Sequence, residues 1–202
     1  MNNLSELDLG GNEFSGEPPS ELGLLSSLTF LNMFLNQFTG NLPSELGNLT
    51  SLTALDVRFN SFKGTLPTQL AGLLVLSYLG LERNEFTGTL PTWIGGMEDL
   101  TTLLISSNQF TGTLPSELGA LTSLTSLHLS CNYFSGTFPT QIGEWKNLSQ
   151  LLVNNNQFTG TFPLEVTSNS KLMQFCLDNN NFTGSVPQEV ENDWSCTGPY
   201  SC

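Results

Sequence analysis

Residues 108–119 read NQFTGTLPSELG, and near copies begin at Asn36 (NQFTGNLPSELG), Asn84 (NEFTGTLPTWIG) and Asn156 (NQFTGTFPLEVT). Asn recurs at positions 12, 36, 60, 84, 108, 132, 156 and 180, a spacing of 24 with no insertion. Phe follows each Asn by two residues, Gly by four and Pro by seven, from Phe14, Gly16 and Pro19 to Phe182, Gly184 and Pro187. A leucine grid precedes each Asn, as in Leu100-x-x-Leu103-x-Ile105-x-x-Asn108. A fixed period of this length is the signature of stacked coils, each stable only against its neighbours.

Each recurring letter has a physical role. The period-two alternation Leu103-x-Ile105 turns both apolar residues to one face of a short strand and their neighbours to the other. Strands one coil apart are then expected to pair in parallel at about 4.8 Å. The Asn amide both donates and accepts, so it can satisfy turn backbone groups of its own and the next coil. The Phe column is expected to stack as a spine. Gly fits a tight backbone turn, and Pro fixes the bend after it.

This pattern resembles the plant-specific class of leucine-rich repeats, which includes receptor-kinase ectodomains, receptor-like proteins and polygalacturonase inhibitors. The Phe and the repeated FTGT also resemble secreted repeat proteins of algae such as diatoms. The resemblance covers residues 4–190 and implies an α/β-type solenoid. That is a right-handed leucine-rich repeat of eight 24-residue coils with a concave parallel β-sheet. It also implies a second short β-sheet from the F-x-G-x-L-P segments and a few short 3-10 or α turns on the convex side. Two regions are expected: the solenoid over residues 1–190, and a short C-terminal cap with cysteines over residues 191–202. Relatives carry an N-terminal cap with paired cysteines and a Trp. None precedes Leu4 here, so the first coil is expected to present an open edge.

Composition narrows the function. Eighteen acidic residues against five basic ones give a net charge of −13, which argues against nucleic acid and anionic membrane surfaces as partners. The longest apolar run, Leu73–Leu76, is four residues, far from the roughly 20 that span a bilayer, so no membrane insertion is expected in this segment. Met1 runs straight into the first coil, so the export signal of a secreted or cell-surface protein would lie outside this segment. Sequons at Asn3, Asn48, Asn147 and Asn181 are glycosylation candidates and hint at secretion.

Four cysteines occur. Cys196 and Cys202 are close enough in sequence to bridge, and Cys176 sits on the last strand. One cap disulfide among Cys176, Cys196 and Cys202 is expected, most readily involving Cys202. Cys131 is two coils from Cys176; their Cα atoms would be about 10 Å apart, beyond the roughly 7 Å that a disulfide spans. Cys131 is therefore expected to stay unpaired. No C-x-x-C pair points to zinc, and neither a metal nor any other cofactor is expected. The only histidine, His128, lies near Ser126 and Ser130, but no carboxylate is expected to orient it, and a sheet surface offers no enclosed pocket. No catalytic residue is assigned.

Two surfaces remain for function. On the concave face, Phe30, Phe34, Arg58, Tyr78 and Glu82 point outward in coils two to four, flanked by Leu35, Phe59 and Arg83 at the strand ends. Outward aromatics beside arginine are the composition of binding hot spots. Arg58 and Arg83 could clamp a carboxylate, as arginine pairs do in related peptide receptors; they are equally placed to pair with Asp56 and Glu82. The expected function is a non-catalytic module, receptor-like or inhibitor-like, that binds a peptide, protein or polysaccharide. The alternative surface is the F-T-G-T-L-P strand, whose outward files include Thr87, Thr89, Thr111, Thr113, Ser135, Thr137, Thr159 and Thr161. Stacked strands would hold these hydroxyls about 4.8 Å apart between coils and about 6.6 Å along each strand. That resembles the T-x-T arrays of ice-binding solenoids and raises an ice-binding or surface-adhesion role.

Overall fold

The computed structural model describes residues 3–163, 165 and 169–184. Within them the 24-residue unit folds as one coil: a short strand, a turn, a second strand, then a 3-10 turn leading to the next coil. In coil five these are Thr102–Leu104, Gln109–Gly112 and the 3-10 helix Ser116–Ala120, which follows Pro115. Among the described residues the helical segments are all 3-10, and none is long and apolar enough to cross a membrane.

Two eight-stranded parallel sheets result, each running coil by coil through the molecule. In the concave sheet, partners are 24 residues apart, so Leu79 pairs with Leu103 and Leu103 with Leu127. In the second sheet they are 22 apart: Phe110 pairs with Gly88, and Thr111 with Thr89. Between the sheets lies a continuous core in which Leu103, Ile105, Leu118, Leu121 and Leu124 are fully buried. The expected Phe spine is present. Seven successive pairs from Phe14 to Phe182 stack with ring centroids 5.9–6.3 Å apart and planes within 18° of parallel.

The Asn ladder ties each coil to the one before it, not to the one after as the sequence implied. Asn108 Nδ2 donates to the carbonyls of Ile105 at 3.1 Å and Ser106 at 3.3 Å in its own turn. It also reaches Leu81 in coil four at 3.0 Å, and its Oδ1 accepts the amide of Phe86 at 3.0 Å. The direction follows from the turn, which points the amide back across the strand end of the preceding coil. Asn132 and Asn156 repeat the arrangement. Asn12, in the first coil, donates only to Leu9 and Gly10 of its own turn.

Replacing Asn108 by Ala orphans the buried Phe86 amide and removes donors from three carbonyls. The expected cost is about 3 kcal/mol in urea unfolding, against less than about 1 kcal/mol for Asn12→Ala, which sits in an exposed turn.

Candidate functional site

The αL turn before each ladder Asn determines which side chains flank the concave face. In every coil the preceding residue has positive φ: 66° at Gly11, then 52° at Leu35, 56° at Phe59, 52° at Arg83, 55° at Ser107, 59° at Cys131, and 56° and 54° at Asn155 and Asn179. Gly and Asn tolerate this conformation, whereas other L residues are disfavoured by about 1–2 kcal/mol. Coils two to four nonetheless carry Leu, Phe and Arg here. Leu35 is 50% exposed, Phe59 half-buried and Arg83 exposed. These three line an open groove of about 700 Å³, with Gln37, Thr39 and Ser61 of the second sheet on its far side.

Inside that ridge the concave aromatics and arginines form one cluster. Phe34 meets Phe59 edge-on at 5.2 Å. The Arg58 guanidinium lies 5.2 Å from the Phe34 ring and 5.7 Å from the Tyr78 ring, and Arg83 lies 5.2 Å from Phe59. Phe30 pairs in register with Ala54 but stacks on no ring among the described residues, so it stands beside the cluster rather than in it.

Arg58 is committed within the protein. Its Nη2 is 2.7 Å from Asp56 Oδ2, its Nε 2.9 Å from Asp56 Oδ1, and its Nη1 3.6 Å from Glu82. Burial alone would lower its pKa, but the hydrogen bond and charge of Asp56, helped by Tyr78 and Glu82, leave it raised. A carboxylate clamp through Arg58 would compete with two carboxylates already in place, so the pairing with Asp56 and Glu82 is the arrangement realised. The Tyr78 hydroxyl donates to Asp56 Oδ2 at 3.3 Å. Burial, then the negative charge of Asp56, pushes this phenol above its ordinary value, with Arg58 opposing.

Three expectations require correction. First, a carboxylate does meet His128: Glu82 Oε1, from two coils earlier, lies 3.3 Å from Nδ1. Gln150 Oε1 lies 3.3 Å from Nε2 and accepts from Ser126 at 3.0 Å, so a polar chain continues to coil seven. Second, Glu82, expected to point outward in the patch, is buried, as is Asp56; so are Leu104, His128, Ser130, Leu152 and Cys176 further along the face. The exposed outward positions are Glu6 and Asp8 in the first coil and Asp178 in the eighth, and Phe30, Phe34, Arg58 and Tyr78 are half-buried. Third, Cys131 is disulfide-bonded, as is Cys176, and no described cysteine is free. The distance argument excluded only a direct bond between those two; Cys196, Cys202 and the expected cap over residues 191–202 lie outside the described residues. All four sequon asparagines, Asn3, Asn48, Asn147 and Asn181, are exposed.

On the second sheet, Thr89, Thr111, Thr113, Thr137, Thr159 and Thr161 are exposed, and Thr87 and Ser135 half-buried. The 22-residue register places Thr89 beside Thr111 and Thr137 beside Thr159, so like letters do not stack directly. The hydroxyls form a diagonal band instead of two straight ladders.

A family model described as a leucine-rich repeat region matches residues 2–194. No curated protein matches the chain. Among solved structures, the Arabidopsis receptor kinase HAESA, in complex with the peptide hormone IDA and the co-receptor SERK1, is 36% identical with a TM-score of 0.88, over 93% of this chain and 32% of that one. The plant peptide hormone receptor RGFR1 in complex with RGF2 is 27% identical with a TM-score of 0.72, over 90% and 33%. A plant ice-binding protein is 28% identical with a TM-score of 0.70, over 92% and 67%. The chain thus spans about a third of the length of the receptors it matches.

The environment of Tyr78 makes a spectroscopic prediction. Its raised pKa means the neutral phenol is favoured in the fold; that stabilisation is complete below the unfolded value of 10.0 and is lost as pH rises through the folded one. Alkaline absorbance titration should therefore show one tyrosine ionising well above pH 10.0, and Tyr78→Phe should remove that late step.

Proposed function

Because this chain belongs to the leucine-rich repeat family, in its plant-type form, we infer that it is a non-catalytic binding module. It recognises an extended peptide or protein segment through the concave face of coils two to four. The observation that carries the reading is the preassembled cluster of Phe34, Arg58, Phe59, Tyr78 and Arg83 on coils two to four. Its aromatic rings are already held by arginines and carboxylates, so little side-chain freedom remains to be lost on binding. Leu35, Phe59 and Arg83 support it by side-chain size, since the same αL position in the other coils carries Gly, Ser, Cys or Asn. Receptors of similar fold bind peptides in their complexes. With Arg58 occupied, the ligand's anchor is an apolar or aromatic side chain resting on Phe34, Leu35 and Phe59, not a carboxylate held by Arg58. The bonded cysteines and exposed sequons support a secreted or cell-surface site of action.

Peptides selected on the immobilised protein from a random display library test this. Phe34→Ala and Phe59→Ala should each weaken binding of the selected peptides about tenfold or more, while Leu24→Ala on the convex side should not. Undiminished binding in both ring variants contradicts the reading, as does selective enrichment of a polysaccharide with no peptide.

A second reading is favoured by the exposed hydroxyl band and by the likeness to the plant ice-binding protein. In it the second sheet orders water at an ice surface. Ice-crystal shaping and thermal hysteresis by the wild type, abolished by Thr113→Tyr with Thr137→Tyr, are the expected results; equal inactivity of both proteins contradicts it.

A further inference from the structure

The glycine of each repeat motif carries more than a turn. Gly88, Gly112, Gly136 and Gly160 have φ between 73° and 81°, and the methyl of a threonine from the preceding coil fills the space where a Cβ would stand. Thr65 Cγ2 lies 2.8 Å from that point at Gly88, Thr89 Cγ2 2.9 Å at Gly112, Thr113 Cγ2 2.7 Å at Gly136 and Thr137 Cγ2 2.9 Å at Gly160. Glu17 and Asn41 occupy the corresponding seats at Gly40 and Gly64, so the seat does not itself demand threonine. Seating the methyl fixes χ1 of a side chain that is already stiff, and it points every hydroxyl of the file the same way.

The methyl seat sets one file of the band apart. The hydroxyls of Thr65, Thr89, Thr113, Thr137 and Thr161 bond to no described residue. In the first file, Thr111 donates to the Gly88 carbonyl at 3.3 Å, while the hydroxyls of Thr87, Ser135 and Thr159 bond to no described residue. We propose that the glycine-seated file of Thr65, Thr89, Thr113, Thr137 and Thr161 is the ordering element of an ice-binding face. Its fixed hydroxyls hold lattice water, and the first file serves as filler between them. This rests on the second functional reading above. Across strands, at about 4.8 Å, the 22-residue register sets each seated threonine beside one of the first file, as Thr89 beside Thr111, so the seated threonines follow one another diagonally at more than one strand spacing. Water immobilised on such a net costs less free energy when the groups that hold it have no rotamer freedom left to lose.

The test compares files within one face. Thr113→Ser with Thr137→Ser keeps both hydroxyls but unseats them, and should reduce thermal hysteresis about threefold or more, whereas Thr111→Ser with Thr159→Ser should change it less than about twofold. Thr113→Val with Thr137→Val keeps the methyl and removes the hydroxyl, and should reduce hysteresis at least as much as the seated serine pair. Three-bond couplings to the threonine methyls should report a single χ1 rotamer at Thr113 and Thr137. Equal losses from the two serine pairs, no loss from the seated pair, or averaged couplings at Thr113 overturn the proposal while leaving the ice reading standing. A wild type that neither shapes ice nor shows hysteresis overturns both.

Discussion

Everything in this molecule depends on the side chain of the ladder asparagine. One amide closes its own turn, caps a strand carbonyl of the coil before it and accepts that coil's phenylalanine amide, as Asn108 does for Leu81 and Phe86. A hydrogen bond of this kind is worth little net in water but is costly to lose once buried. Each coil therefore completes its neighbour, and no coil is complete alone. The first coil shows the consequence: among the described residues the Asn12 side chain bonds only within its turn, Leu4, Leu7 and Leu9 are half-buried, and Phe14 is 47% exposed.

The same turn generates both working surfaces. It forces the preceding residue to positive φ and so sets out the flanking ridge, where Leu35, Phe59 and Arg83 stand beside the concave aromatics. It also starts the second strand, where the 22-residue register brings each threonine methyl over the next coil's glycine. The scaffold letters are repeated because every coil needs them. The concave cluster is not repeated: it exists in three adjacent coils and is absent from the remainder.

Most of the fold was legible because its determinants are local and periodic. The alternation Leu103-x-Ile105 and the Phe column read directly as inner positions, and Leu103, Ile105 and the phenylalanines from Phe38 to Phe158 are buried. Asp56 and Arg58, two residues apart on one strand face, were legible as partners for the same reason. Other features were not, because they depend on how coils lie over one another. The pairing of Glu82 with His128 joins residues 46 apart through a long side chain crossing an intervening coil. The second-sheet register differs from the repeat by two residues, which a column reading aligns wrongly. The burial of Leu152 on an outward file, and the bonding of Cys131, involve more than the repeat unit and leave no periodic trace.

The nearest-neighbour account is tested most directly by native-state hydrogen exchange at the phenylalanine amides held by the ladder. Phe62, Phe86, Phe110 and Phe134, each buried and bonded to the asparagine of the next coil, should be strongly protected, and Phe14, bonded to Asn36 in the same way but 47% exposed, much less so. In Asn108→Ala, protection should fall first at Phe86, one coil earlier in sequence. Loss centred on Phe110, or equal protection at Phe14 and Phe86 in the wild type, would contradict the account.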